Sequence, residues 1–197
     1  SGSGKSTIAE ILQKSYEVSQ GQILLNGNFN FNDIKTASWR KLIGVVPQDV
    51  TIFNGNVLTN ISLGDEVDPK AFETFLTTYG FDRFIQQLPQ GLATIVGEEG
   101  INLSGGQRQL LGLMRALYKQ PQFLILDEFT SAMDRVTENF AIDCISKIKT
   151  EIGVFMITHR LNIVPRIADQ ISVLEHKTIA LTGSHQELLK HPNFYSQ

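Results

Sequence analysis

Phe123-Leu124-Ile125-Leu126-Asp127-Glu128 joins four consecutive apolar residues to two carboxylates. A run that is apolar at every position, rather than at every second one, is what a strand covered on both faces requires. Its sheet must then carry helices on either side. Ligands of such sheets gather beyond the carboxyl ends of the strands, which is where Asp127 and Glu128 stand. Ile43-Gly44-Val45-Val46, closed by Pro47, repeats the pattern upstream, and Val154-Phe155-Met156-Ile157 repeats it downstream. Helical stripes separate the runs: Leu110, Leu113, Met114 and Leu117 behind a cap at Ser104, then Ala141, Cys144, Ile145 and Ile148. This alternation predicts an α/β fold with a mostly parallel sheet.

Around that core, Ile8, Ile11 and Leu12 recur at helical spacing from Lys5 onward, and Gly21 punctuates the region after that helix. Residues 22–25 read as a short strand with a tight turn at Asn26-Gly27. The middle of the chain is helical. Asp68-Pro69 is an N-cap followed by proline at the first helical position, and Phe72, Phe75, Leu76 and Tyr79 share one face behind it. A second helix is predicted over 82–88, stopped by Pro89-Gln90-Gly91. Residues 171–174 and 178–181 form a hairpin, and the capping box Ser184-His185-Gln186-Glu187 opens a last helix. The chain carries no internal repeat and no low-complexity tract.

Composition narrows the function classes. The 197 residues hold 17 basic and 20 acidic side chains, a net charge of −3, which speaks against a nucleic-acid binder. An apolar share of 42% sustains a core and excludes a disordered chain. The single cysteine, Cys144, excludes an internal disulfide or a cysteine metal cluster, fits a reducing compartment, and falls on an apolar helical face. No run approaches the ~18 apolar residues of a membrane helix, and with no apolar segment behind Ser1-Gly2-Ser3-Gly4-Lys5 no signal peptide is expected. The chain opens without Met and inside that motif, so it is expected to be a piece of a longer protein. Trp39 either packs or lines a docking groove, and His176, His185 and His191 are expected at the surface.

Ser1-Gly2-Ser3-Gly4-Lys5-Ser6-Thr7 is the end of a G-x-x-x-x-G-K-S/T loop running into a helix. Successive backbone N–H groups at such a helix start cradle phosphate oxygens, and the glycines allow the backbone conformations this needs. Lys5 is expected on the β- and γ-phosphates, with the Ser6 hydroxyl on Mg²⁺. Asp127, at the end of its apolar strand, completes the Mg²⁺ shell, and Glu128 is placed to polarise an attacking water. Together these residues predict a Mg-nucleotide site.

Leu103-Ser104-Gly105-Gly106-Gln107 puts a serine and two glycines at a second helix start. With this motif the chain resembles, over nearly all its length, the nucleotide-binding domain of ATP-binding-cassette (ABC) proteins. The resemblance implies a P-loop NTPase-type core with a smaller antiparallel β part, a helical subdomain at about 56–119 inserted in the RecA-like core, and N-terminal strands lying outside this chain. It implies ATP and Mg²⁺ as ligands. Gln48, after Val45-Val46-Pro47, then matches the Q-loop glutamine that senses Mg²⁺ and water. Ser104, Gly105, Gly106 and Gln107 match the signature that contacts ATP held by a second copy. Glu128 matches the catalytic base, Ser131-Ala132-Met133-Asp134 the D-loop, and His159 the switch histidine near the γ-phosphate.

Two further stretches resemble exporter cassettes: Phe53-Asn54-Gly55-Asn56-Val57-Leu58-Thr59-Asn60-Ile61, after the Q-loop, and Thr94-Ile95-Val96-Gly97-Glu98-Glu99-Gly100, which exporters set against the membrane domain. The resemblance thus implies the motor domain of a membrane exporter at the cytoplasmic face of the membrane. Its partners would be a second nucleotide-binding domain, in a homodimer, and the transmembrane domain of the same transporter. A non-transport ABC ATPase of DNA repair, chromosome structure or translation is the alternative; an inactive regulatory cassette is a further one, opposed by Lys5, Glu128 and His159. Two departures stand out: Phe129 replaces a small residue and Met133 a leucine, both expected to perturb D-loop packing. The adenine-stacking aromatic of the family falls outside the chain. The cargo is not legible, with only a leaning toward peptide ahead of lipid or drug.

Overall fold

The computed structural model describes residues 4–98, 100–190, 193 and 195. Helix α1 (Lys5–Leu12) begins at once, and Ala9 on its inner face is buried. Strands β1 (Leu24–Leu25) and β2 (Phe29–Asn30) form an antiparallel hairpin across the expected turn, where the Asn28 N–H donates to the Leu25 carbonyl at 3.1 Å. Strand β1 is shorter than the 22–25 predicted. Helix α2 (Thr36–Leu42) was not legible, because Trp39 is its only buried residue and supplies no periodic stripe. Trp39 packs rather than lining a groove: its indole N–H donates to the Leu12 carbonyl at 2.6 Å and its ring meets Phe31 edge-on. Strand β3 (Ile43–Val46) follows as expected.

The middle of the chain holds β4 (Gly55–Asn56), α3 (Val57–Ser62), α4 (Pro69–Tyr79), α5 (Asp82–Gln86), β5 (Ile95–Val96) and α6 (Gly105–Tyr118). Asp68 caps α4 as expected, its carboxylate accepting from the Lys70 and Ala71 N–H groups. Helix α5 stops at Gln86, short of the predicted 88. Leu110, Leu113, Met114 and Leu117 of α6 are all buried. After it come β6 (Phe123–Asp127), α7 (Arg135–Ile148), β7 (Gly153–Ile157), α8 (Val164–Ile167), the hairpin β8 (Ile171–Glu175) and β9 (Thr178–Gly183), and α9 (His185–Leu188).

Strands β3, β6 and β7 make one parallel sheet with β6 in the middle, Val46 level with Leu126 and Asp127 level with Ile157. The unbroken apolar run of β6 now has its reason. Leu124 and Leu126 point into a core built with α6, α7 and the middle helices, while Ile125 points into a second core with Ala9, Phe31 and Trp39. A third cluster joins α8, β8 and α9 to Ile142 of α7. Phe129 and Met133, the two departures, are buried members of the first core. His176 is exposed, but His185 is only half-exposed and its Nδ1 lies 2.7 Å from the Tyr195 hydroxyl. His191 falls outside the described residues.

Candidate functional site

The site forms where α1 starts and where β6 and β7 end. Gly4 adopts φ 95° and ψ 6°, a left-handed conformation that favours glycine, and offers the first turn of α1 no side-chain cap. The N-terminal N–H groups of such a helix are donors for an anion, and the helix dipole favours negative charge there. Lys5 is half-buried, and the Ser6 and Thr7 side chains are exposed. Ser1, Gly2 and Ser3 of the predicted loop lie outside the described residues.

Parallel pairing of β6 with β7 sets the acidic pair beside His159. The Glu128 N–H donates to the Ile157 carbonyl at 2.9 Å, extending the ladder by one residue, and Glu128 itself sits at φ 47°. A left-handed conformation at a non-glycine residue costs about 1–2 kcal/mol, and it swings the side chain out of the strand direction. As a result Glu128 Oε1 lies 2.9 Å from His159 Nε2, with the carboxylate largely buried and the imidazole half-exposed. Asp127 stands next to them. Burial, with Glu128 and Glu10 nearby, pushes its carboxyl up from the ordinary range, and His159 and Lys5 pull the other way. Its Oδ1 is buried with no hydrogen-bond partner among the described residues.

That orphaned oxygen is the test of whether the residues suit Mg²⁺. A hard cation takes oxygen donors, and one carboxylate plus one hydroxyl suffices when substrate phosphates supply the rest. Asp127 and Ser6 provide that donor set. No group of three or more His, Cys, Asp or Glu side chains gathers into a protein-only metal site among the described residues.

Gln48 is exposed after β3, and its backbone carbonyl accepts from the side-chain amide of Gln109. Gln109, buried on α6, was not singled out in the sequence; its place on the helix facing the Gln48 loop is a feature only the fold reveals. Ser104 caps α6 in a reciprocal box: its hydroxyl accepts from the Gln107 N–H at 3.2 Å, while Gln107 Oε1 accepts from the Ser104 N–H at 2.8 Å. Gly105 has no room for a side chain, since a Cβ there would stand 2.7 Å from Ala132 Cβ. The first turn of α6 therefore rests on segment 131–134 of the same chain. Asp134 ends that segment by capping α7, and the Thr137 N–H and hydroxyl, with the Val136 N–H, hold its carboxyl below the ordinary range.

The two exporter-like stretches, distant in sequence, are one unit. β4 pairs with β5 antiparallel, and Asn54 Oδ1 accepts from the Glu98 N–H at 2.7 Å. Fully buried Asn60 bonds the Phe53 backbone on both sides, and Arg115 of α6 donates to the Asn60 and Thr51 carbonyls at 2.8 and 2.9 Å. Phe53, Leu63, Ile95 and Ile101 are exposed apolar side chains in this region. Glu98 is exposed, and Glu99 falls outside the described residues.

A parallel sheet with a glycine-lysine helix start and an acidic pair at its carboxyl edge defines the chain as a P-loop nucleotide-binding domain. The chain belongs to the ABC transporter family, whose family model matches residues 1–131. It is 42% identical over 201 residues to an ATP-dependent lipid A-core flippase of Pasteurella multocida, covering 100% of this chain and 34% of the flippase. It is 40% identical over 203 residues to the flippase of that name from Idiomarina loihiensis, again covering 100% and 34%. Among solved structures, a bacterial Atm1-family ABC exporter with ATP bound matches 100% of this chain and 34% of its own, with a TM-score of 0.89 and 36% identity. The chain thus spans about a third of the length of the curated relatives it matches.

Proposed function

We propose that the chain is the ATP-hydrolysing motor domain of a membrane exporter, working as a pair of cassettes that close around two ATP molecules. The observation that carries this reading is the Glu128–His159 pair, 2.9 Å apart, beside the unpartnered Asp127 Oδ1. A carboxylate oriented by a histidine at the carboxyl edge of the sheet is placed to take a proton from water attacking a phosphoryl group. Lys5 and the N–H groups opening α1 bind the β- and γ-phosphates. Ser6 and Asp127, with Gln48 alongside, would hold Mg²⁺, which supplies charge neutralisation at the bridging oxygens when bound. His159 both fixes the Glu128 carboxylate and faces the γ-phosphate.

In this reading the second copy presents Ser104, Gly105, Gly106 and Gln107 to the same γ-phosphate, and Asp134 of the D-loop stands at the seam between copies. Lys5, Glu128, His159 and an intact signature occur in one chain, so a homodimer has two competent sites. The β4–β5 unit, with Phe53, Ile95 and Ile101 exposed, supports this unit as the surface that meets the transmembrane domain, and with it a working position at the cytoplasmic face of the membrane. No helix among the described residues is long and apolar enough to cross it. The curated relatives are lipid A-core flippases, and we favour an amphipathic lipid over the peptide cargo toward which the sequence leaned.

Phosphate release by the full-length transporter tests the reading. Glu128→Gln keeps the size and the contact to His159 but cannot act as a base, so Mg-dependent turnover falls by about 10²–10³-fold while ATP still binds. Wild-type turnover in that variant would overturn the assignment.

A further inference from the structure

We propose that Arg160 is a positioning residue that ties the hydrolytic site to the signature helix of its own protomer; this rests on Glu128 being the catalytic base and on the signature serving ATP of the second copy. His159 and Arg160 are adjacent, and their side chains hold two ends of one segment, residues 128–134. His159 holds Glu128. The Arg160 guanidinium donates through Nη2 to the Ser131 carbonyl at 3.1 Å and to the Met133 carbonyl at 3.5 Å, and through Nη1 to Glu138 of α7, whose carboxylate is 7% exposed. The Arg160 N–H donates in turn to Thr158 Oγ1 at 2.9 Å, which fixes the loop that carries both residues.

The same segment also packs against the first turn of α6, which carries the signature residues. A Cβ on Gly105 would stand 2.7 Å from Ala132 Cβ, and one on Gly106 would stand 3.3 Å from Met133 Cα. Ala132 and Met133 thus pack closely on the first turn of α6, within the same short stretch whose Ser131 and Met133 carbonyls the arginine fork holds. Buried Phe129 and Met133 pin the segment to the core. A shift of Glu128 and His159 on loss of the γ-phosphate therefore either breaks the fork or moves Ser104 to Gly106. Those are the residues that serve ATP on the other protomer, so one site's state reaches the other through Arg160. Arginine is required because a planar fork satisfies a carboxylate with one arm and carbonyls with the other. A lysine ammonium is a point charge that keeps the first contact and loses the second.

The test uses the full-length transporter with Arg160→Lys, Glu128→Gln and the double variant. Arg160→Lys leaves Glu138 paired, so the unfolding midpoint and the initial ATP affinity stay at wild-type values. Turnover falls about tenfold, and ATP occluded by Glu128→Gln is released about tenfold faster in the double variant, the range that coupling through packed networks spans. Wild-type kcat together with an unchanged release rate would overturn the proposal. So would a lowered unfolding midpoint with unchanged kcat and release, since Arg160 would then be a structural ion pair only. Normal turnover by Glu128→Gln alone defeats the functional reading itself; its collapse with an unaffected Arg160→Lys defeats only the coupling.

Discussion

Asp127 is the residue where stability and function pull apart. Its carboxyl is pushed up chiefly by burial, with Glu128 and Glu10 adding to it, so charging it costs more in the folded protein than in the unfolded chain. A raised carboxylate makes the folded state bind more protons, and stability then falls as pH rises through its titration range. Asp127→Asn is therefore expected to raise the unfolding midpoint of nucleotide-free protein at pH 7, with the advantage shrinking as pH falls from the raised titration range toward the ordinary carboxylate range, below which it is gone. The same variant loses Mg²⁺-dependent turnover. An unchanged or lower midpoint at pH 7 would mean the unpartnered Oδ1 carries no such cost. Phe129 is the opposite case. It stands out in the sequence as a departure, but it is fully buried beside Met133, and Phe129→Ala should cost about 3–5 kcal/mol in urea unfolding. A loss below about 1 kcal/mol would say the D-loop core does not depend on the ring.

Among the elements, α6 was the most legible and the least completely understood. Its stripe of Leu110, Leu113, Met114 and Leu117 and its cap at Ser104 follow from a 3.6-residue period and helix-end chemistry, and both stand in the structure. Helix α2 escaped because one buried tryptophan is no period. The polar side of α6 escaped for a different reason: Gln109 reaches Gln48, and Arg115 reaches Thr51 and Asn60, partners 55 or more positions away that no local pattern announces. The site divides the same way. Lys5, Asp127, Glu128 and His159 were read from motifs and come together at the sheet edge, whereas Arg160 and Glu138 form a contact that only the fold creates. Arg115→Met should free segment 51–60, seen as faster amide exchange at Phe53, whose N–H bonds Asn60. Exchange at the wild-type rate would exclude Arg115 as the anchor. On α7, burial pushes the Cys144 thiol up to about 12, so it should resist alkylation at neutral pH until the domain unfolds.

Across the whole molecule, the parallel sheet β3-β6-β7 and the hairpin β8-β9 are separate sheets among the described residues. A cavity of about 670 Å³ lies between β7 and β8, lined by Val154, Met156, Ile171 and Val173, with Lys5 and His159 also on its wall. β7 pairs only with β6, and β8 only with β9, among the described residues. The proposed motor function turns on ATP being held between two copies. The measurement that tests it most directly is the amount of ATP retained by Glu128→Gln full-length transporter after rapid gel filtration, with and without Ser104→Arg. Two ATP per pair of cassettes, lost when the signature serine is replaced, is the predicted result. ATP retained equally well by single cassettes, or untouched by Ser104→Arg, would contradict it.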